Sequence, residues 1–263
     1  MVTILPQVEF VESVGGDRVQ VSVMVPPGAN PHVYEPAPSQ LTGLSRARIY
    51  ASIGSGIEFE LTWLDKLRAV NREMLMVDCS AGVTLIPETK VHKADDGKSS
   101  QGAPDPHIWM SPRNAGIMVQ NIYAGLVQLD PEGRDYYAQN RDIYLDRLTA
   151  LDRDIRQALS GQKDRSIIVY HPVLGYFARE YNLTMLPVEE EGKEPSAADI
   201  AYLIQYAREH KIKVVFASPQ FSTRSAEVIA GEIGGRVVMV DDLARDYIGN
   251  LRRLLAELVM VLE

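Results

Sequence analysis

The sequence predicts an α/β fold of two parallel-sheet lobes joined by one long, rigid backbone helix. Short runs rich in Val, Ile and Met recur along the 263 residues, most of them separated by stretches of helical periodicity. The runs are near-continuously apolar rather than alternating, which is the pattern of strands buried on both faces; with helices between them, such strands form parallel sheets. One helical pattern near the middle of the chain is far longer than the others, and runs lie on both sides of it.

Before the long pattern the runs fall at 2–5, 19–25, 49–53 and 74–77; after it they fall at 167–170, 185–188, 214–217 and 237–240. The long pattern opens where Asp130 is placed to cap, Pro131 suits a first helical turn and Glu132 favours the helix dipole. It continues to Ser160 and Gly161. Tyr137, Tyr144, Leu148, Leu151, Ile155 and Leu159 recur at three- and four-residue spacing, one apolar stripe on a helix of about 30 residues and roughly 45 Å. A helix of that length reads as a spine between lobes rather than a crossover within one sheet. A chain of this size exceeds what a single core supports. The expected organisation is therefore an N-terminal α/β lobe at 1–130, the linking helix at 131–161 and a C-terminal α/β lobe at 162–263.

Composition narrows the function. With 46% hydrophobic and 24% charged residues the chain is ordinary for a globular protein, and no apolar run approaches the roughly 18 to 20 residues of a membrane span. A net charge of −8, from 27 basic and 35 acidic residues, gives no footprint for nucleic acid or an anionic bilayer and mildly favours a cationic ligand. The single cysteine, Cys79, excludes an internal disulfide and a thiolate metal cluster, and reads as a small buried hydrophobe. No signal peptide is expected at the start, since Met1 leads at once into the apolar Val2-Thr3-Ile4-Leu5. The stretch 88–106, rich in Lys, Asp, Gly and Ser, reads as a mobile loop.

Any metal chemistry must then rest on imidazole and carboxylate. His171 follows the run 167–170, His32 lies in a Pro/Gly/Asn loop after Val25, and Asp241 ends the run 237–240. All three stand at carboxyl ends of predicted strands, where open α/β sheets bind ligands; residues from both halves meet there only if the lobes face each other across a cleft. His107 stands in Asp105-Pro106-His107-Ile108-Trp109-Met110-Ser111-Pro112, just before a helix that Ser111 caps and Pro112 opens. Proline adjoins His32 and His171 and stiffens the backbone that carries them. Three neutral imidazoles and one carboxylate suit Zn²⁺, and by the divalent affinity order they hold it more tightly than Mn²⁺.

Each residue also has an ordinary structural role to set against this one. A single histidine after a strand is commonly a hydrogen-bonded core residue, and Asp241 or Asp242 can instead cap the helical segment 243–262. His210, in Arg208-Glu209-His210-Lys211, reads as the solvated end of a helix. His92 is a lone histidine in a polar loop, where a role in transient metal capture is the exception. Glu189, Glu190 and Glu191 read as a solvated charge run, with lining of a cleft as the alternative.

These motifs resemble the solute-binding proteins of zinc and manganese ABC importers. Gly15-Gly16-Asp17 followed by Val25-Pro26-Pro27-Gly28-Ala29-Asn30-Pro31-His32-Val33-Tyr34-Glu35-Pro36 is similar to that family's first metal-histidine motif, with Asn30 where Asp is common. Asp105-Pro106-His107-Ile108-Trp109 resembles the second, and Tyr170-His171-Pro172-Val173-Leu174-Gly175-Tyr176-Phe177 the third. Glu194-Pro195-Ser196, Pro219-Gln220-Phe221-Ser222 and Val240-Asp241-Asp242-Leu243 extend the resemblance over nearly the whole chain. Asp241 falls at the family's carboxylate ligand, while Asp242 stands where many members have proline.

The resemblance implies two pseudo-symmetric lobes with the metal between them, bound by His32, His107, His171 and Asp241. It implies a monomeric receptor in the periplasm or at the cell surface, exported with a removed signal or a lipid anchor, that delivers Zn²⁺ or Mn²⁺ to a membrane permease and performs no catalysis. A zinc hydrolase is the alternative from another class, but it needs an open metal position that a fourth protein ligand fills. A surface adhesin with a structural metal, and a receptor for an organic ligand such as a siderophore or corrinoid, complete the alternatives.

Overall fold

The computed structural model describes residues 1–89, 103–162, 165–189 and 193–262. His92, Glu190 and Glu191 lie outside the described residues. The chain divides into two compact units, the first made of 1–84, 111–152 and 243–248, the second of 85–110, 153–242 and 249–263. In chain order the helices and strands are α1 (Pro6–Gly15), α2 (Pro38–Leu44), β1 (Ile49–Ser52), α3 (Glu58–Val70), β2 (Leu75–Asp78), α4 (Pro112–Leu129), α5 (Arg134–Leu159), β3 (Ser166–Val169), α6 (Gly175–Tyr181), β4 (Thr184–Pro187), α7 (Ala197–Glu209), β5 (Val214–Ala217), α8 (Arg224–Glu232), β6 (Arg236–Met239) and α9 (Tyr247–Leu262).

In the second unit the sheet is parallel throughout, in the order β4-β3-β5-β6. Every residue of β5 is buried, as its unbroken Val-Val-Phe-Ala run predicts. Ile168, Leu186 and Val215 pack with Leu203 of α7 and Ile229 of α8 into one apolar cluster. The four runs expected here are all strands, within a residue of their predicted bounds.

In the first unit β1 and β2 pair in parallel, and Val2 bridges in parallel to both Val23 and Ala51. The order of segments, with Val23 and Val2 preceding β1 and β2, repeats that of the second unit: second, first, third, fourth. Two expected strands shrink here to these bridges, for a local reason. The N–H groups of Thr3 and Ile4 both donate to the Gln7 side chain, at 3.0 and 3.1 Å, and Pro6 starts α1, so the chain leaves the ladder after Thr3. Helix α4 lies close on β2 because Gly125 has no side chain; a Cβ there would fall 2.4 Å from Val77.

The expected spine is present. Its first turn, Pro131–Gly133, is a 3-10 turn, and α5 follows for 26 residues. All six apolar stripe residues are buried. Residues of α5 up to Asp152 belong to the first unit and those from Arg153 to the second, so one continuous helix runs from one unit into the other. Asp130 does not cap it with its side chain. That carboxylate instead accepts from Arg18, at 2.7 Å, and from the Tyr137 hydroxyl, at 2.7 Å, which together hold its pKa below the usual carboxylate range. No helix among the described residues is long and apolar enough to cross a membrane.

Candidate metal centre

The loops after β3, β4, β5 and β6 all leave the same edge of the second sheet. They bring His171, Glu189, Ser218 and the Asp241-Asp242 pair to the carboxyl ends of the strands, where a doubly wound sheet binds its ligands. His171 is 3% exposed, and Phe221 lies against its ring with centroids 4.4 Å apart. His107 reaches the same place from a different part of the unit. The 3-10 turn Ile108–Met110 follows it, and the Trp109 indole N–H donates to the main-chain carbonyl of Asp242 at 2.9 Å, tying the two segments together.

The two buried rings stand nearly perpendicular, at 84°, with their Nε2 atoms 3.2 Å apart. Each ring is held at its other nitrogen by a carboxylate. Asp105 Oδ1 lies 2.8 Å from Nδ1 of His107, and Glu189 Oε1 takes Nδ1 of His171 in a short contact. A carboxylate only accepts, so each Nδ1 is the protonated nitrogen and each Nε2 turns its lone pair inward. A separation of 3.2 Å suits a proton shared between the two Nε2 atoms, which the raised pKa of His107 favours, and it equally suits a metal ion in the proton's place. A tetrahedral ion with Zn–N bonds of about 2.05 Å separates its nitrogen ligands by about 3.3 Å, which the observed spacing matches.

Electrostatics point the same way. Burial opposes a charge on His107, yet the hydrogen bond and charge of Asp105, with the charges of Asp242 and Glu88, raise its pKa above the ordinary imidazole value. Asp242 is 6% exposed, its pKa raised by burial against the pull of His107 and a Ser218 hydrogen bond, and its Oδ1 has no partner. Asp241 Oδ1 accepts from the Gln220 amide at 2.7 Å. Neither aspartate caps a helix, since α9 begins only at Tyr247.

His32 belongs to the first unit. Its loop is stitched by side chains: the Asn30 carboxamide accepts from the His32 N–H at 2.9 Å, and Gln40 holds Ala37 N–H at 2.9 Å and the Tyr34 hydroxyl at 2.6 Å. Its Nδ1 too is met by a carboxylate, Glu58 at 2.8 Å, on the first residue of α3. Two residues on, the buried carboxylate of Glu60 accepts from Ile53 N–H at 2.6 Å and Gly54 N–H at 2.9 Å, which fixes the start of that helix.

The structure thus brings His107 and His171 together, and it gives all three predicted histidines the same support at Nδ1. His210 is different: it ends α7, as expected, with Nδ1 on the Tyr206 carbonyl and its ring stacked on Tyr206 at 3.9 Å. Glu189 is a correction to the sequence reading. It is 3% exposed and holds His171, because β4 carries it directly into the buried end of the sheet rather than to solvent. Asp105 stood in a quoted motif without a role, and Glu58 was missed. A signal was available only for Asp105, an acidic residue two positions before His107; Glu58 lies 26 residues from His32. Cys79 is buried, as expected.

A parallel α/β scaffold of two units, with paired imidazole nitrogens at the strand ends of one, has the donor set of a metal-binding protein. A family model described as ZnuA, the periplasmic component A of the zinc-uptake complex, matches residues 1–261. The high-affinity zinc uptake system protein ZnuA of Bacillus subtilis is 30% identical over 248 residues, which cover 92% of this chain and 77% of that protein. The zinc-binding lipoprotein AdcA of Streptococcus pneumoniae is 26% identical over 248 residues, 92% of this chain but 49% of AdcA, so the chain spans about half of that relative. A crystal structure of ZnuA superposes with a TM-score of 0.92 at 42% identity, covering 100% of this chain and 98% of that one. The chain belongs to the ZnuA family.

Proposed function

We propose that the chain captures a divalent transition metal outside the cytoplasm, zinc before manganese, and delivers it as a monomer to the permease of an ABC importer. The observation that carries this reading is the pair of Nε2 atoms 3.2 Å apart on His107 and His171, each ring braced by a buried carboxylate. His32 joins them as third ligand, supported by the same carboxylate bracing from Glu58. Asp241 is the fourth, supported by its place at the end of β6 and by the Gln220 amide that orients it. Imidazole-rich donors hold Zn²⁺ more tightly than Mn²⁺. Zinc uptake is also what the name of the B. subtilis relative describes, and zinc binding what the name of the S. pneumoniae relative describes. Four protein donors leave no position for an activated water, so the metal is cargo and not a catalyst.

Calorimetric titration of chelator-stripped protein with Zn²⁺ and with Mn²⁺ tests this, on the wild type and on His171→Ala, Asp241→Ala and Asp242→Ala. The expected result is tight one-to-one zinc binding, weaker manganese binding, and loss of affinity in His171→Ala and Asp241→Ala. No binding of either metal overturns the reading. Loss in Asp242→Ala alone of the two aspartates moves the carboxylate ligand by one residue.

A further inference from the structure

Asp105 is wholly buried, and its Oδ1 accepts twice from His107: from the main-chain N–H and from Nδ1, each at 2.8 Å. One oxygen thereby fixes the backbone and the ring of the same histidine. The Asp105 backbone is itself pinned. Its N–H donates to the Ile86 carbonyl at 2.8 Å, and its carbonyl accepts from the Tyr176 hydroxyl at 3.0 Å. Its second oxygen, Oδ2, has no hydrogen-bond partner and lies against Gly175, the first residue of α6. A Cβ at Gly175 would fall 2.1 Å from Oδ2 and 3.3 Å from Cγ of Asp105, and the next nearest atom, Ile86 Cδ1, lies at an ordinary 3.7 Å. Gly175 is not among the glycines of positive φ, so its backbone accepts any residue. What bars a side chain there is Asp105.

We propose that Asp105 and Gly175 are positioning residues for metal capture: the missing side chain at Gly175 seats the Asp105 carboxylate, which locks the His107 ring with Nε2 turned toward His171 and the ion. The inference rests on the metal-receptor reading above. Its physical basis is that groups which orient a metal-binding imidazole govern affinity without touching the metal: a carboxylate at Nδ1 keeps the proton of the neutral ring there and its lone pair on Nε2. Substituting Gly175 leaves every ligand in place and acts only through the carboxylate behind one of them.

Zinc affinity, read by competition with a chromogenic chelator, is compared among wild type, Asp105→Asn, Gly175→Ala, Asp105→Ala and the double variant Asp105→Ala/Gly175→Ala. Asp105→Asn and Gly175→Ala are each expected to weaken zinc about 10- to 100-fold. In the Asp105→Ala background the obstruction is gone, so adding Gly175→Ala changes affinity by less than about twofold. Displacing a buried carboxylate also lowers the melting temperature of metal-free Gly175→Ala, and this loss, like the loss of affinity, is expected to vanish in the Asp105→Ala background, which a residue needed only for packing elsewhere would not show. If that variant does not fold, the nearly isosteric Asp105→Asn carries the test. Wild-type zinc binding combined with an unchanged Asp105→Asn or Gly175→Ala, or with additive losses in the double variant, overturns the inference. A wild type that binds no zinc overturns the metal-receptor reading instead.

Discussion

In the second unit four strands pair in register over two to four residues per pair, and the strand ends present two imidazoles, each 3% exposed or less, already facing one another. In the first unit the same order of segments is held by one strand pair and single bridges, and His32 sits on a loop, its side chain 18% exposed and its bracing Glu58 48% exposed. Both units brace their histidines with carboxylates. Only one does so out of water, where a charge-assisted hydrogen bond is stronger and a misplaced ring has nowhere to go. Under the proposed function, His107 and His171 are the preset ligands and His32 is the one whose ordering costs more when an ion binds.

Removing either buried ring should have the largest effect. Structural zinc sites gain roughly 10 to 16 kcal/mol in all, or about 3 to 4 kcal/mol for each of four ligands, so His107→Ala and His171→Ala are each expected to lose about 10²- to 10³-fold in zinc affinity by calorimetry. His32→Ala should lose less than either. An equal or greater loss there would break the contrast between the units.

Acid should weaken binding next. Zinc needs neutral imidazoles, and the raised pKa of His107 means that proton competition begins above the ordinary value of about 6.5. Affinity is therefore full above that range and falls by about tenfold or more per pH unit below it. The metal-free protein runs the other way. A proton on His107 is held better folded than unfolded, so this contribution to stability is complete below about pH 6.5 and is lost as pH rises through the raised value. Melting curves of stripped and zinc-loaded protein between about pH 5.5 and 8 should show opposite trends from this site. Zinc affinity undiminished near pH 5 would sink a three-histidine site.

Zinc at a thousandfold excess over its dissociation constant should stabilise the wild type by about 4 kcal/mol, read from the shift in melting. The smallest effect is expected at Ser111, whose hydroxyl accepts from the Asn114 N–H at 3.2 Å to cap α4 in the first unit. Ser111→Ala should cost about 1 kcal/mol of stability and leave zinc affinity within about twofold. A large loss of affinity there would mean that this cap also positions the histidine four residues before it.

The contrast between the units also explains what could be read from the sequence. Buried parallel strands such as Val214–Ala217 write themselves as continuous apolar runs, and the spine shows as a long stripe from Tyr137 to Leu159. His107 and His171 were legible because each stands at a sharp boundary, one before a capped helix and one after a strand. The strands at Val2 and Val23 were overread, because apolar composition does not reveal that Gln7 takes the N–H groups of Thr3 and Ile4. The bracing carboxylates were hidden for a related reason. Glu58 lies 26 residues from His32 in the chain, and Glu189 lies 18 residues from His171; only folding brings such pairs together.

One feature near His107 bears on how the protein can be altered. The chain enters and leaves the stretch between Glu88 and Ala103 through its own short antiparallel stem: Glu88 N–H donates to the Ala103 carbonyl at 3.0 Å, and Asp105 N–H to Ile86 at 2.8 Å. The stem's two hydrogen bonds close before His107 begins, so Asp105 is anchored to the chain on the far side of that stretch. A change of length between Glu88 and Ala103 therefore meets the stem before it meets Asp105 and His107, which marks this position as the one at which to splice a reporter or an affinity tag.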